Sequence, residues 1–300
     1  MRANLHLHSR RSDGTLEPAA VAEAAAAAGL QAAALTDHDT LGGVPEFLNK
    51  ARELGLAAWP GVEIDVADKE TAYRSEILAY FPRGRFERTR ELLAGVLERR
   101  RERARLWMSR VPRVFCREDL TYEGLLRFKT GVPNGSARED ELSLSKTDLF
   151  EYLKSRGVLS PEAEYREFRK AYFDTELLPS GSYRKSDLAG VVRTVLSDGG
   201  ICVLPHPGHE FGDSLAELTR ERKRFRSLLL RMRDLGVRGL EIYHYKNRDS
   251  EGINRLAARE ARGLGMFLTY GSDCHGPGSV KYTIRDFHGD FPGWPRDGSP

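Results

Sequence analysis

At 300 residues the chain can form one large domain or a domain with an insertion, and its 40% apolar content is enough for a sizeable core. A formal net charge of +3 carries no overall signature of nucleic-acid binding. Cys116, Cys202 and Cys274 are too few and too scattered for a disulfide framework, and no CxxC pair supports a zinc knuckle, so a reducing compartment is expected.

The first stretch, "ANLHLHS", alternates like a strand. "LEPAAVAEAAAAAGL" reads as a helix with Pro18 in its first turn and Gly29 as its stop. "QAAALTDHDT" is a short buried strand with a polar C-terminal edge, "LGGVPEFLNKARELGL" a second helix, and "AAWPGVEIDV" a third strand. No basic, apolar and small-residue signal pattern opens the chain. The alanine-rich run "AAVAEAAAAAGLQAAAL" is broken by Glu23, Gly29 and Gln31 and is too short to span a bilayer. A cytoplasmic protein with no membrane partner is the expectation. The rhythm predicts an α/β parallel sheet or barrel, with its site at the C-terminal ends of the strands.

After Phe81-Pro82 the rhythm breaks. "FERTRELLAGVLERRRERARLWMSRV" predicts a long charged helix with Leu93, Val96, Leu97, Ala104, Trp107, Met108 and Val111 on one face. Twelve arginines fall between 83 and 117. They read as a solvated helix face with Glu–Arg pairs, or as a basic surface that draws in an anionic substrate. No aromatic platform of the single-strand nucleic-acid type accompanies them. Helix signals continue to about Ser182, with a loop at "GVPNGSARED". The α/β rhythm then resumes in "LAGVVRTVLSDGGICVLPHPGHE", "LLLRMRDLGVRGLEIYHY" and "NRLAAREARGLGMFLTYGSDCHG". The expected organisation is a barrel formed by 1–82 and 190–300, with 83–189 as an inserted helical cap and an irregular tail at "FPGWPRDGSP".

Metal-ligand residue types collect at the strand ends: His6, His8 and Asp13; Asp37, His38 and Asp39; Glu63; Glu76; His206; Asp273 and His275. Residues i and i+2 of a strand share a face, so His6 and His8 can reach one ion. Each piece alone has a plainer explanation. HxH can be incidental, "TDHD" can cap the next helix through Asp39 or Thr40, and "PHPG" can be a rigid turn. Five strand ends that all deliver imidazole and carboxylate groups point together to a polynuclear metal site.

The motifs "HLHSRRSDG", "LTDHD", "GVEI", "PHPG" and "GSDCHG" resemble, in order and spacing, those of the PHP (polymerase and histidinol phosphatase) family of metal-dependent phosphoesterases. The resemblance covers about 1–82 and 190–285. It implies a distorted (β/α)7 barrel with up to three divalent ions, of Mn, Fe or Zn. The inserted segment is similar to the helical cap of a subgroup that includes nucleoside 3',5'-bisphosphate and AMP phosphatases. By motif, His6, His8, Glu63 and Asp273 are expected at one ion, and Asp13, His38 and His275 at a second. Glu63 would bridge to a third ion with Glu76 and His206.

Two positions depart from the family pattern. Glu76, in "RSEILAYF", stands where members usually have His, and is either a ligand or an exposed strand residue. In the cap, Lys146, Thr147 and Asp148 stand where the subgroup tends to carry Arg-Pro-His. Lys146 is either a phosphate contact, as a point charge without the arginine fork, or an exposed helix-start lysine. His209 is read as a substrate contact or proton donor, or as a loop histidine, and Tyr243 and His244 as pocket lining or packing. Cys274, between two ligands, is expected to point away and pack.

The function implied is hydrolysis of a small phosphorylated metabolite, a nucleotide phosphomonoester of AMP or 3',5'-bisphosphate type, by a metal-bridging hydroxide. Asp273 would also steer the proton, and His209 or His275 would protonate the leaving group. The alternatives are exonuclease or phosphodiesterase action on short RNA or DNA, a histidinol-phosphate-type phosphatase, and a non-catalytic binding module.

Overall fold

The computed structural model describes residues 1–131, 138–179, 184–279, 281 and 283–295. Most of the loop expected at "GVPNGSARED" and the end of the tail lie outside them. The first half runs β1 (Arg2–Leu7), α1 (Pro18–Ala27), β2 (Ala32–Leu35), α2 (Val44–Glu53), β3 (Ala57–Ala67) and β4 (Glu76–Tyr80). Helices α3 (Glu87–Met108), α4 (Val111–Phe115), α5 (Tyr122–Thr130), α6 (Lys146–Ser155) and α7 (Tyr165–Tyr172) follow, with no strand between them among the described residues. The alternation returns with β5 (Ser186–Asp187), α8 (Leu188–Ser197), β6 (Ile201–Leu204), α9 (Leu215–Arg220), α10 (Arg222–Leu235), β7 (Gly239–Tyr243), α11 (Ser250–Arg262), β8 (Phe267–Gly271) and β9 (Gly289–Asp290).

The strands form one sheet in the order β8-β7-β6-β4-β3-β2-β1-β9, with β5 beside β3. Just beyond β8, Cys274 pairs with Leu7 and its carbonyl accepts from the His8 amide at 2.9 Å, so the sheet nearly closes into a barrel. Seven strands, β1–β4 and β6–β8, make most of the wall of the expected distorted barrel, and the two-residue β9 adds an eighth, antiparallel to β1. One of the seven runs backwards: β4 is antiparallel to both β3 and β6. A short turn joins β3 to β4 with no crossover helix, and a direct return of that kind can only pair antiparallel.

Side chains sort by face. Ala33, Leu35, Leu7 and Cys274 pack with Val21, Ala22 and Ala25 of α1 and Phe47 and Ala51 of α2. Cys274 therefore points away from its two polar neighbours, as expected. The other face of the first strands buries Leu5, Ala32, Ala34, Leu78, Tyr80 and Val203. The helical insertion has an apolar cluster of its own, built from Trp107, Met108, Val111, Leu149, Leu153, Phe168, Phe173 and others. The long expected helix ends at Met108, and Val111 starts a separate helix with Pro112 in its first turn.

The insertion docks on the first barrel loops through polar contacts. Arg10 donates to the Phe128 carbonyl at 2.6 Å, Thr40 Oγ1 to the Glu141 carbonyl at 2.6 Å, and the Ser143 amide to the Arg11 carbonyl at 2.8 Å. Buried Lys129 of α5 reaches both the Ser12 carbonyl and Asp148. Arg100 of α3 donates to Asp39 at 2.8 Å and to Asp65 at 3.0 Å. Asp39 thus serves the insertion and the Asp65 amide rather than capping α2, whose N-cap is Gly43 without a side-chain bond. No helix among the described residues is long and apolar enough to cross a membrane.

Candidate metal centre

The barrel end carries its polar residues because strand pairing stops there and loops take over. A register shift lies between Asn4 and Leu7 of β1, the mark of a bulge. Beyond it Leu7 packs outward, while His6 and His8 share the opposite face, as bulges near active sites often arrange. Asp39, His206 and Asp273, at three strand ends, take positive φ of 54°, 27° and 52°. Non-glycine residues adopt this backbone at a cost, and such positions collect at functional sites.

Three groups of ligand atoms converge there, each with its atoms within 4.8 Å of one another. One contains His6, His8, Glu63 and Asp273, the second His8, Asp13, His38 and His275, and the third Glu63, Glu76 and His206. Glu63 Oε2 is 3.2 Å from His6 Nε2, 3.4 Å from His8 Nε2 and 3.2 Å from His38 Nδ1. Its Oε1 is 3.0 Å from His206 Nε2. Asp273 Oδ1 lies 3.0 Å from His8 Nε2, and Asp13 Oδ1 lies 3.1 Å from His275 Nε2. All nine residues expected as ligands from the sequence therefore meet, and His8 lies between two groups rather than in one.

A cation fits this arrangement. His6 Nε2, His8 Nε2, Asp13 Oδ1, Glu63 Oε2 and Asp273 Oδ1 are buried and make no hydrogen bond. Buried polar atoms normally have partners, so five orphaned ligand atoms facing one another form a set that a divalent ion satisfies. The electrostatics agree. Burial pushes the carboxyl of Glu63 up, but the imidazoles of His6 and His38 outweigh it and hold the group well below the usual range. For Asp273 the same contest is won by Lys281, His275 and His6, and for Asp13 by His275 and His38. Burial pushes His8 down, yet Asp273 and Glu63 raise it to about 9. Glu63, Asp13 and Asp273 call for positive charge, which the neighbouring imidazoles and, at Asp273, Lys281 supply in part.

Several supporting roles escaped the sequence reading. Buried Glu241 of β7 accepts from His6 Nδ1 at 2.9 Å and from the His206 amide at 2.9 Å. Its first bond fixes the His6 tautomer so that Nε2 faces the centre. An acidic residue inside the apolar strand "GLEIY" was the available signal, since such residues are rarely buried without a partner. Asp37 accepts from the Ser9 amide, Ser9 Oγ and Ser12 Oγ, each at 2.6 Å, and so shapes the loop that carries Asp13. Lys281 pairs with Asp273 Oδ2, which also accepts from Tyr243 Oη at 3.3 Å.

Gly271 follows from the same packing. A Cβ there would collide with Glu241 Oε1 and the His6 Cβ. Gly271→Ala is expected to destabilise the fold by about 1–3 kcal/mol, as overpacking does. Denaturant unfolding against wild type checks this, and an unchanged midpoint would contradict it.

The remaining candidates sit further out. His209 Nδ1 bonds Asp213 Oδ1 at 2.6 Å, and its ring stacks on His206 at 4.3 Å between centroids. Tyr243 is buried beside Asp273. His244 packs on Phe287 at 5.4 Å, and burial lowers its pKa. Lys146 starts α6 with its ammonium 4.1 Å above the Phe173 ring, behind a Ser145–Asp148 capping box. A cleft of about 220 Å³ opens on the centre, lined by Ser12, Asp13, His38, Asp65, Glu76, Arg100, Ser143 and Ser145.

Comparison with known proteins agrees with this geometry. Residues 4–130 match the PHP domain family. A phosphoribosyl 1,2-cyclic phosphate 1,2-diphosphodiesterase from Eggerthella lenta is 26% identical, over 92% of this chain and 95% of its own length. A 3',5'-nucleoside bisphosphate phosphatase from Chromobacterium violaceum is 27% identical, over 92% of this chain and 87% of its own. The solved structure of an amidohydrolase from Chromobacterium violaceum, with bound sulfate and no metal, superposes with a TM-score of 0.70 at 27% identity. That match covers 93% of this chain and 89% of the other. With five matching motifs, a convergent ligand set and similar proteins along almost its whole length, the chain carries a match to the PHP domain over residues 4–130 and is similar overall to phosphoesterases.

Proposed function

We propose that this phosphoesterase hydrolyses a nucleotide phosphomonoester of the AMP or 3',5'-bisphosphate type. The observation that carries the reading is the small polar cleft over the ligand cluster, with Arg100, Ser12, Ser143 and Ser145 in its wall. About 220 Å³ suits one small phosphorylated molecule better than a polymer, and no aromatic side chain among the described residues lines the cleft to stack successive bases. The 3',5'-bisphosphate phosphatase relative supports the same substrate class.

In this reading His6, His8, Glu63 and Asp273 hold one ion and His8, Asp13, His38 and His275 a second, with Glu63, Glu76 and His206 as the third position. Bound divalent ions supply a nucleophile at neutral pH by lowering the pKa of water toward about 7, and they neutralise phosphate oxygens. Mn, Fe and Zn all suit a mixed imidazole and carboxylate donor set. The protein's own groups do the rest. Segment 83–189 acts as the cap that closes the cleft, and its Ser143 and Ser145 hydroxyls meet phosphate oxygens. Asp273, anchored by Lys281 and Tyr243, and His275 manage the proton at the centre. Lys146 and His244 take part from the outer rim, where each now faces an aromatic ring.

His209 is the proposed donor to the leaving group. Asp213 accepts from Nδ1, which leaves Nε2 to exchange a proton with a substrate oxygen. His209→Gln is expected to lower kcat by about 10²-fold or more with metal content unchanged. Steady-state kinetics with elemental analysis checks this, and an unchanged kcat removes the role.

The substrate class is tested by assaying the Mn-loaded protein on AMP, a nucleoside 3',5'-bisphosphate, a cyclic phosphate, a dinucleotide and histidinol phosphate. The highest kcat/KM is expected on a mononucleotide. A preference for the dinucleotide would favour exonuclease action, in line with the 5'-3' exoribonuclease of Haemophilus influenzae, 24% identical over 91% of this chain and 90% of its own.

A further inference from the structure

The three ligand groups are not electrically alike. The first two have four donors each, whereas the third has Glu63, Glu76 and His206 only. Glu63 belongs also to the first group, so Glu76 is the one carboxylate private to the third. That carboxylate already has a cation. Lys185, just before β5, donates to Glu76 Oε1 at 2.8 Å and to the Ser75 carbonyl at 2.9 Å, and its ammonium lies 3.1 Å from Asp65 Oδ1. Three acceptors surround the three N–H groups of an ammonium whose side chain is only 17% exposed. Glu76 Oε2 accepts from Ser75 Oγ at 2.5 Å and lies 3.8 Å from His206 Nε2, against 3.0 Å between Glu63 Oε1 and the same nitrogen.

The first group also has a lysine nearby, Lys281 on Asp273 Oδ2. It keeps a second carboxylate and two imidazoles besides. In the second group Asp13 faces three imidazoles and pairs with no lysine among the described residues, although the Lys281 charge also acts on it. In both the first and the third position an ammonium sits on the unshared carboxylate, but only in the third does that leave a single imidazole and the shared Glu63 as the remaining donors. A divalent ion there would lie close to the Lys185 charge, and that repulsion acts in a partly buried site where water screens it weakly.

We propose that Lys185 makes the Glu63–Glu76–His206 position the weak, exchangeable one, so that the centre keeps two ions tightly and takes up a third only at high metal concentration. The inference rests on the metal-centre reading above. It concerns residues of this chain in particular, because Glu76 stands where the family usually has His and Lys185 neutralises it.

The test is a titration of the full-length metal-free protein with MnCl2, followed by calorimetry and by EPR of free Mn(II), with elemental analysis after desalting. Wild type is expected to retain about two ions and to bind a third at least about tenfold more weakly. Lys185→Met is expected to tighten only the third event, by about tenfold or more, and Lys185→Arg, which keeps the charge, to leave it weak. Glu76→Gln is expected to delete the third event and keep the first two. Should Lys185→Met not fold, Lys185→Gln removes the charge with a polar group in place and is read in the same way. Three equally tight ions in wild type, or a third event that neutral variants leave unchanged or weaken, overturns the proposal. Absence of binding at every position, in folded wild type, instead overturns the metal-centre reading itself.

Discussion

Glu63→Gln is expected to abolish turnover, by about 10³-fold or more, and to strip the protein of most of its metal. Glu63 is the only carboxylate common to two of the three ligand groups, and its two oxygens lie within 3.4 Å of His6, His8, His38 and His206. Its Oε2 is buried and makes no hydrogen bond, so its free lone pairs have no role in the protein except to meet a cation. Glutamine has nearly the same shape. It carries no charge and turns an NH2 group toward an imidazole or an ion that needs a lone pair. A bound ion contributes several kcal/mol of transition-state charge stabilisation, and each 1.36 kcal/mol is tenfold in rate, which sets the expected loss. Elemental analysis and kcat on the best nucleotide check the result. Wild-type metal content and rate in a folded Glu63→Gln protein would remove the proposed centre.

Glu241→Gln is expected to weaken metal binding by about 10–100-fold, the usual cost of losing a group that orients a metal ligand. Glu241 belongs to none of the three ligand groups. One of its oxygens takes the Nδ1 proton of His6 and the other takes the His206 amide. A carboxylate can accept both bonds, whereas an amide has one acceptor and one donor. One of the two contacts must then become donor against donor, in a site with no exposure to water. Either way a ligand histidine is displaced or adopts the wrong tautomer. Mn(II) titration measures the affinity, and imidazole 15N shifts report the His6 tautomer. An affinity within about twofold of wild type would show that Glu241 supports the fold alone.

The sequence was most legible where chemistry and periodicity coincide. His6 and His8 are separated by one residue, and strand geometry alone puts both on one face. Pro18 and Gly29 mark the ends of the first helix, and α1 spans Pro18–Ala27 with Gly29 at a φ of 73°. Motif order likewise foretold that ligands from distant segments would meet. Less legible were residues whose importance lies in a partner far along the chain. Glu241 acts on His6 from 235 residues away, and Arg100 reaches Asp39 from 61 residues away. Neither spacing leaves a local trace. Asp39 shows the error this produces, since a short acid before a helix looks like a cap until Arg100 claims it.

By itself, then, the sequence determined the alternation of strands and helices, the stretch where helices without strands interrupt it, and which nine imidazole and carboxylate groups stand at the strand ends. These follow from side-chain type and near-neighbour spacing, which a linear chain carries directly. Tertiary structure alone decided that His8 falls between two of the converging groups, whereas the sharing of Glu63 was already expected from the motifs. It also decided that β4 runs backwards, that Glu241 and Asp37 hold the ligands in place, and that Lys185 rests on Glu76. Those relations depend on barrel closure, which brings strand ends from both halves of the chain within a few ångströms of one another, and no spacing along the sequence encodes that distance.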